Sequence, residues 1–399
     1  MKRFLALEGL RGWLAWAVVL SHLAYTSGIS PTFPGSVLGR IGSPAVIVFI
    51  IVSGFVITHL IIEKQEPYSI YLLRRFMRIF PVFLITCIIG FVAYDIEGST
   101  LARVAYLHEP GYTFSSVMAN IAQSNHQFFW AHAFAHLLML NGVISDTTLP
   151  FSGYAFNMPA WSLSLEWQFY LVAPFVVILI HRNRGLLVAG IAVMVLEYVS
   201  RHGLFGQFEQ PSFLPAAFEY FLVGIASRYL YPLIADFVRP SIVLTLAVVL
   251  LPIFAKETIP ILLWVVVVAG MRLHPGSASA SRWFDRAYRL LLESRAATYF
   301  GSRSYSIYLC HMPVIAFCHW AWLAVSPNAG PAATFVHLFA TGIPLATVAA
   351  EILHRTVERP GIALGAKFAR RVSHGPSPTE IEAAASSGSP AVTLATSVD

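Results

Sequence analysis

Arg11 and His22 stand eleven positions apart in the first apolar stretch of the chain, EGLRGWLAWAVVLSH. Eleven residues turn an α-helix by about three full turns plus roughly 20° and advance it by about 16 Å. Both side chains therefore leave one face, with His22 further along the axis. Ionisable groups within lipid are costly and face a polar interior or a pathway. This stripe joins a fixed cation to a group that exchanges a proton near neutral pH. His22 has the chemistry of a general base towards a hydroxyl, and Arg11 that of a clamp for an anionic or carbonyl group. Spacing alone leaves a second reading open at even odds, in which Arg11 snorkels or pairs with Glu8 and His22 is a satisfied interfacial histidine.

Four further clusters carry polar groups into apolar runs. In IVSGFVITHL (51–60), Ser53 and Gly54 permit close helix packing or a local break, with packing favoured, and His59 falls near an interface. In YLLRRFMRIFPVF (71–83), Arg74, Arg75 and Arg78 precede Pro81 at the expected start of a helix, where free N–H groups also favour anions. They make either a phosphate site or a set of topogenic arginines facing acidic lipid, the latter favoured in isolation. In MPAWSLSLEWQFYLVAPF (158–175), Trp161 and Trp167 fit an interfacial belt, while Ser162, Ser164, Glu166 and Gln168 do not. Glu166 is placed either to orient a histidine or to sit at a solvated helix start capped by Ser162. In GSRSYSIYLCHMPVI (301–315), Ser304, Tyr305, Ser306, Tyr308 and His311 crowd one span, with Pro313 expected to kink it. That cluster reads equally as a site or as helix glue. Glu358 in VERPG is expected to pair with Arg355 or Arg359.

The elements that must position these groups are membrane helices. The 399 residues are 57% hydrophobic and only 12% charged, against about 25% charged in soluble domains, and mean hydropathy is +0.67. A globular enzyme with a simple anchor is excluded. The expected fold is all-α: a polytopic helix bundle of about ten transmembrane helices. Apolar runs lie at about 4–25, 41–62, 79–95, 161–181, 185–202, 212–231, 241–255, 258–272, 296–323 and 332–355. The amino-terminal segment imitates a signal peptide, but Glu8 and Arg11 interrupt it and no small-residue cleavage site follows, so it reads as a retained helix.

With both termini cytoplasmic, the basic loops fall on the inner side and only Arg40, Arg103, Arg201 and Lys256 lie outside. Counting 128–144 as a span would invert everything after it, so this stretch, with His132 and His136, reads as an interfacial or re-entrant segment on the outer side. The net charge of +6 reflects these loops and not a nucleic-acid partner. The three cysteines, Cys87, Cys310 and Cys318, offer neither a disulfide framework nor metal spacing. Residues 373–399, rich in small residues, read as a disordered cytoplasmic tail. No phosphate loop, HExxH or GxSxG is present.

The ordered set LEGLRGWLAWAVVLSH, VSGFVIT, RRFMRIFP, WSLSLEWQFY, SYSIYLCHMP and ERP resembles the acyltransferase-3 family of multi-spanning membrane acyltransferases. The match runs from residue 7 to residue 360, within an expected domain of 1–360. The resemblance implies transfer of an acyl group, usually acetyl, from cytoplasmic acetyl-CoA or another acyl-CoA. The acceptor is a hydroxyl of an extracytoplasmic or lipid-linked glycan, or of a small molecule. It implies catalytic roles for His22, Arg11 and Glu166, and donor-side roles for Arg74, Arg75, Arg78, Ser304 and Tyr305. Further candidates are Ser53, Trp161, Ser162 and His311. The donor is a substrate, no cofactor or metal is expected to be held permanently, and the setting is the inner membrane of a bacterium. Partners are the acyl-CoA, the acceptor and membrane lipid; the oligomeric state is left open. A competing class is a proton-coupled transporter or flippase using Arg11, His22 and Glu166 as a relay. It would show repeated halves, and none is visible in the sequence.

Overall fold

The computed structural model describes residues 4–30, 35–101, 114–182, 184–237, 258–272 and 282–374. Among these residues every regular element is helical. The long helices are α1 (Leu5–Ser27), α3 (Gly42–Lys64), α4 (Tyr68–Leu101), α7 (Ala160–Ile180), α8 (Gly185–Arg201), α9 (Phe218–Phe237), α10 (Thr258–Arg272), α12 (Arg295–Val325), α13 (Pro331–Leu353) and α14 (Arg359–His374). Short helices α2 (Gly35–Arg40), α5 (Phe114–Gln127), α6 (Phe129–Leu137) and α11 (Arg282–Tyr288) lie between them. Helices are the spanning form that closes its own backbone hydrogen bonds, which lipid requires.

Among the described residues, five segments are long and apolar enough to cross a membrane: Ser36–Lys64, Tyr68–Ser99, Ala160–Ile180, Arg295–Val325 and Pro331–Arg371. The helix α1 is 23 residues long but carries Glu8, Arg11 and His22 and is not among them. The expected run at 241–255 and all but the first two residues of the 373–399 tail lie outside the described residues.

One element differs from the sequence expectation. The third apolar run is part of a 34-residue helix that begins at Tyr68, so Arg74, Arg75 and Arg78 project from the helix body and not from its amino terminus. Free N–H groups therefore do not contribute to any anion site there. Pro81 sits inside this helix and leaves the carbonyl of Met77 without its usual donor. Gly361 of α14 packs directly on that carbonyl, and a Cβ on Gly361 would stand 2.7 Å from it. Pro313 lies within α12, which runs on to Val325. The Leu309 carbonyl that Pro313 releases accepts a hydrogen bond of 3.1 Å from Asn157 Nδ2.

Segment 114–152 keeps to one end of the bundle. The helix α6 has nine residues, a rise of about 13 Å, against a hydrocarbon core of roughly 30 Å. Ser124 Oγ of α5 donates to the Pro150 carbonyl at 2.7 Å and takes a 3.0 Å contact from His132 Nε2. The Asp146 carboxylate accepts from the backbone N–H of Ser152 (3.2 Å) and Glu209 (2.7 Å), tying this segment to the loop after α8. Partial burial raises the Asp146 pKa above its ordinary value, while those N–H groups pull it back down.

The helices α1 and α12 form the central pair. A Cβ on Gly301 would lie 1.9 Å from the Glu8 carbonyl oxygen, and one on Gly12 would lie 2.8 Å from the Gly301 nitrogen. Backbone thus meets backbone, as at small-residue crossings in membranes. The helix α3 is unbroken at Ser53-Gly54. Gly54 packs on the Phe221 carbonyl, and Gly224 on that of Ile51, which joins α3 to α9.

Candidate active site

Among the described residues, two adjoining cavities bring the polar motif residues together. The larger, about 640 Å³, is lined by His22, Ser21 and Tyr25 of α1, by Trp161 and Tyr154, and by Arg201, Gln210, Glu219 and Tyr220. The smaller, about 290 Å³, is lined by Arg11, Arg75, Arg78, Glu166, Tyr170 and Ser304 on one side and by apolar residues of α3 such as Val52, Val56 and Leu60 on the other. Val46, Ile50 and Tyr308 line both. The arginine cavity and the histidine cavity therefore meet at these three side chains.

The helical spacing of Arg11 and His22 accounts for this division. One face of α1 serves both cavities, and roughly 16 Å of axial rise places each group in its own. Close α1–α12 contact through Gly12 and Gly301 brings Ser304, Tyr305 and Tyr308 against the same face.

In the arginine cavity the charges are interlocked. Glu166 Oε1 accepts from Ser53 Oγ at 3.0 Å and from the Tyr170 hydroxyl. The Arg75 guanidinium lies 5.9 Å from the centre of the Tyr170 ring. Arg11 lies in the field of Arg78, Glu166 and Glu358. Glu358 is buried, accepts from Ser306 Oγ at 2.8 Å, and meets His354 Nδ1 at 3.0 Å. It does not bind Arg355, which bonds to Glu351. Burial next to cations is what lets this carboxylate sit inside the bundle.

The sequence-derived site residues fall into distinct places. Arg11, Arg75, Arg78, Glu166, Ser53, Ser162 and Ser304 are brought together, with Tyr305 beside them. Arg74 is not; its Nε lies 3.4 Å from Glu66 and it does not line the cavity. Glu166 faces the arginines and does not touch His22. Tyr305 donates its hydroxyl to the Ile79 carbonyl at 2.5 Å, which anchors α12 to α4. Trp161 is buried on the histidine cavity and is not an interfacial belt residue. Ser162 lies inside the first turn of α7 and donates to the Pro159 carbonyl (3.1 Å); its hydroxyl also meets Tyr308 at 2.9 Å. Since the one Ser162 proton is committed to Pro159, the Tyr308 hydroxyl is the donor in that pair.

Other polar residues of the same motifs prove to be clamps. Ser164 accepts from Gly142 N (3.0 Å) and donates to the Met139 carbonyl (2.7 Å). Gln168 holds Ser212 and Leu214. His59 is buried, accepts from Arg228 Nε at 3.0 Å, and is not a surface residue. His311 packs against His22, with ring centres 5.2 Å apart. Sequence reasoning missed Tyr308 and Tyr170 as site residues, and the wall formed by Arg201, Gln210 and Glu219. Of the last three, Arg201 ends α8, Gln210 lies in the following loop and Glu219 sits in the first turn of α9, and none belongs to a motif. The Tyr308 signal was present in SYSIYLCH, three residues from Tyr305, but nothing in the sequence distinguished the two hydroxyls.

The fold and the site together define a multi-helical protein of membrane character with a charged and hydroxyl-rich interior. The chain belongs to the acyltransferase-3 family: the family model, described as an acyltransferase domain, matches residues 4–351. It is also 32% identical over 176 residues to acyltransferase MdmB of Streptomyces mycarofaciens, an alignment that covers 43% of this chain and 38% of that protein. No solved structure matches.

Proposed function

We propose that this protein moves an acyl group, in the first instance acetyl, from cytoplasmic acyl-CoA to a hydroxyl of an extracytoplasmic or lipid-linked glycan or a comparable hydroxyl compound. The observation that carries this reading is the meeting of the two cavities at Tyr308, one lined by arginines and the other by His22. In it the chain spans a bacterial inner membrane about ten times with both termini inside, which turns the arginine cavity towards the cytoplasm.

A thioester donor carries phosphates at one end and the reactive carbonyl at the end of a slim arm. Arg75 and Arg78 hold the phosphate end, as guanidinium groups do by charge-assisted bonds. The arm lies along the apolar wall of α3. The carbonyl reaches the junction, where the Tyr308 hydroxyl exchanges its hydrogen bond to Ser162 for one to the developing oxyanion. Arg11 and Ser304 add positive potential and a hydroxyl from the donor side.

The acceptor hydroxyl enters from the histidine cavity. Neutral His22 removes its proton as the oxygen forms a bond to the carbonyl carbon. Collapse of the tetrahedral species breaks the carbon–sulfur bond, and the imidazolium returns the proton to the leaving thiolate. The products are the O-acyl ester and free coenzyme A, with no net change in protons. Glu166, held by Ser53 and Tyr170, balances the arginine charge and keeps Tyr170 in place under Arg75.

The test is mass analysis of surface and lipid-linked glycans from cells with the protein, without it, or with His22→Ala. The expected result is an added acyl mass that appears with the wild type and is lost in the variant, although the variant inserts and folds. Full acylation by His22→Ala overturns the base assignment. A wild type that moves solute across the membrane without consuming acyl-CoA overturns the transfer reading.

A further inference from the structure

His311 has no role in the proton transfer described above, yet it is fully buried directly against His22. Their ring centres are 5.2 Å apart and their planes 41° apart. His311 Nδ1 lies 2.7 Å from the carbonyl of Tyr308, an atom that can only accept. That contact fixes the proton of neutral His311 on Nδ1 and leaves Nε2 as a lone-pair acceptor. His311 Nε2 is buried with no hydrogen-bond partner, and so is Nδ1 of His22. Unpaired buried polar atoms are rare in folded proteins and mark strain, a missing water or catalytic use. Here two of them belong to neighbouring rings.

We propose that His311 is the positioning residue for His22. It acts by accepting the His22 Nδ1–H through one bridging water. The chain of bonds then runs from the Tyr308 carbonyl to His311 Nδ1–H, and from His311 Nε2 by way of that water to His22 Nδ1–H. It leaves the lone pair of His22 on Nε2, the nitrogen not enclosed, where His22 lines the larger cavity. A neutral imidazole here does what a carboxylate does behind other catalytic histidines: it selects the tautomer and steadies the imidazolium as it forms. The choice of imidazole over carboxylate suits a site within lipid, because it adds no second charge to bury. Tyr308 thereby couples both halves of the site, its carbonyl holding His311 and its hydroxyl standing at the junction of the cavities.

This inference rests on the reading of His22 as the base, and the experiment separates the two. Isolated membranes containing the native acceptor are supplied with radiolabelled acetyl-CoA, and initial rates are normalised to folded protein measured by monodispersity and melting in detergent. Three variants are compared with the wild type. His311→Gln places an amide oxygen near the position of Nε2; His311→Met has similar length without an acceptor; His311→Asn keeps only a donor near the position of Nδ1. The expected result is a maximal rate about 100-fold lower for Met and Asn, at the upper end of effects seen for residues that orient a ligand or catalyst. The acetyl-CoA KM stays within about twofold, and Gln recovers at least about a tenth of the wild-type rate. Equal losses in Gln and Met, or a Met variant within about twofold of wild type, overturn the proposal. His22→Ala is run beside them. If it retains activity, the His22 assignment fails first and the His311 role falls with it. If it is inactive while Met and Asn are active, only the His311 role fails.

Discussion

Arg11 and His22 share a helix face but serve different cavities, and each takes its meaning from its neighbours. Arg11 belongs with Arg75, Arg78 and Glu166, and His22 with His311 and Tyr308. Within the arginine group the residues are not equivalent. Arg78 lies in the field of buried Glu358, so removing it would strand a carboxylate and confuse binding with stability. Arg75 rests over Tyr170 and offers a cleaner probe. Arg75→Gln is expected to raise the KM for acyl-CoA by about 10- to 100-fold, the worth of one or two charge-assisted hydrogen bonds, with the acceptor KM unchanged. Radiolabel transfer at varied acetyl-CoA measures this directly. Arg74→Gln, at a residue already held by Glu66, is expected to change the donor KM by less than about threefold.

At the scale of elements, the site depends on helices that touch without intervening side chains. Gly301 is the sharpest case, because a Cβ there would collide with the Glu8 backbone. The helix α12 would have to move off α1, carrying Ser304 and Tyr308 away from Arg11 and His22. Gly301→Val is therefore expected to lower the melting temperature in detergent by several degrees, in line with overpacking costs of about 1–3 kcal/mol, and to abolish transfer. Gly190→Ala in α8, where nothing lies within 4 Å, is the control. It is expected to leave activity intact and to raise stability slightly, by about 0.5–1 kcal/mol. Much of this level was legible in the chain: apolar runs announced the long helices, and the crowding of Ser304 to His311 announced an unusual span. What was not legible depended on distant partners. Pro81 looked like a boundary because a lone chain cannot show that Gly361 packs on the carbonyl it releases, and the Asn157 donor to the carbonyl released by Pro313 is equally distant in sequence. Glu358 looked like a local pair with an arginine; its local partner is instead His354, and Ser306 and the field of Arg78 come from far away in sequence.

For the whole molecule, the question is which end of the bundle faces the cytoplasm. Charge counting assigns the loops to sides, and the contacts show which segments share an end of the bundle. At one end, the loops around Asp146 and Glu209 are joined, and Tyr25, Arg201 and Gln210 line the histidine cavity. At the other, Arg228 bonds to His59 and Glu63, and Trp13 donates to the Leu291 carbonyl. Two loops bonded to each other lie on one side of a bilayer, which requires an even number of crossings between them. It also makes a direct experiment possible, because native Cys87, Cys310 and Cys318 are all buried and give little background. Single cysteines at exposed His202 and at exposed Gln65 mark the two ends. If the arginine cavity takes its donor from the cytoplasm, a membrane-impermeant maleimide labels His202→Cys in intact cells and reaches Gln65→Cys only after the membrane is opened. The reverse pattern would turn the arginines outward, away from any intracellular thioester, and would remove the donor assignment while leaving the helical architecture untouched.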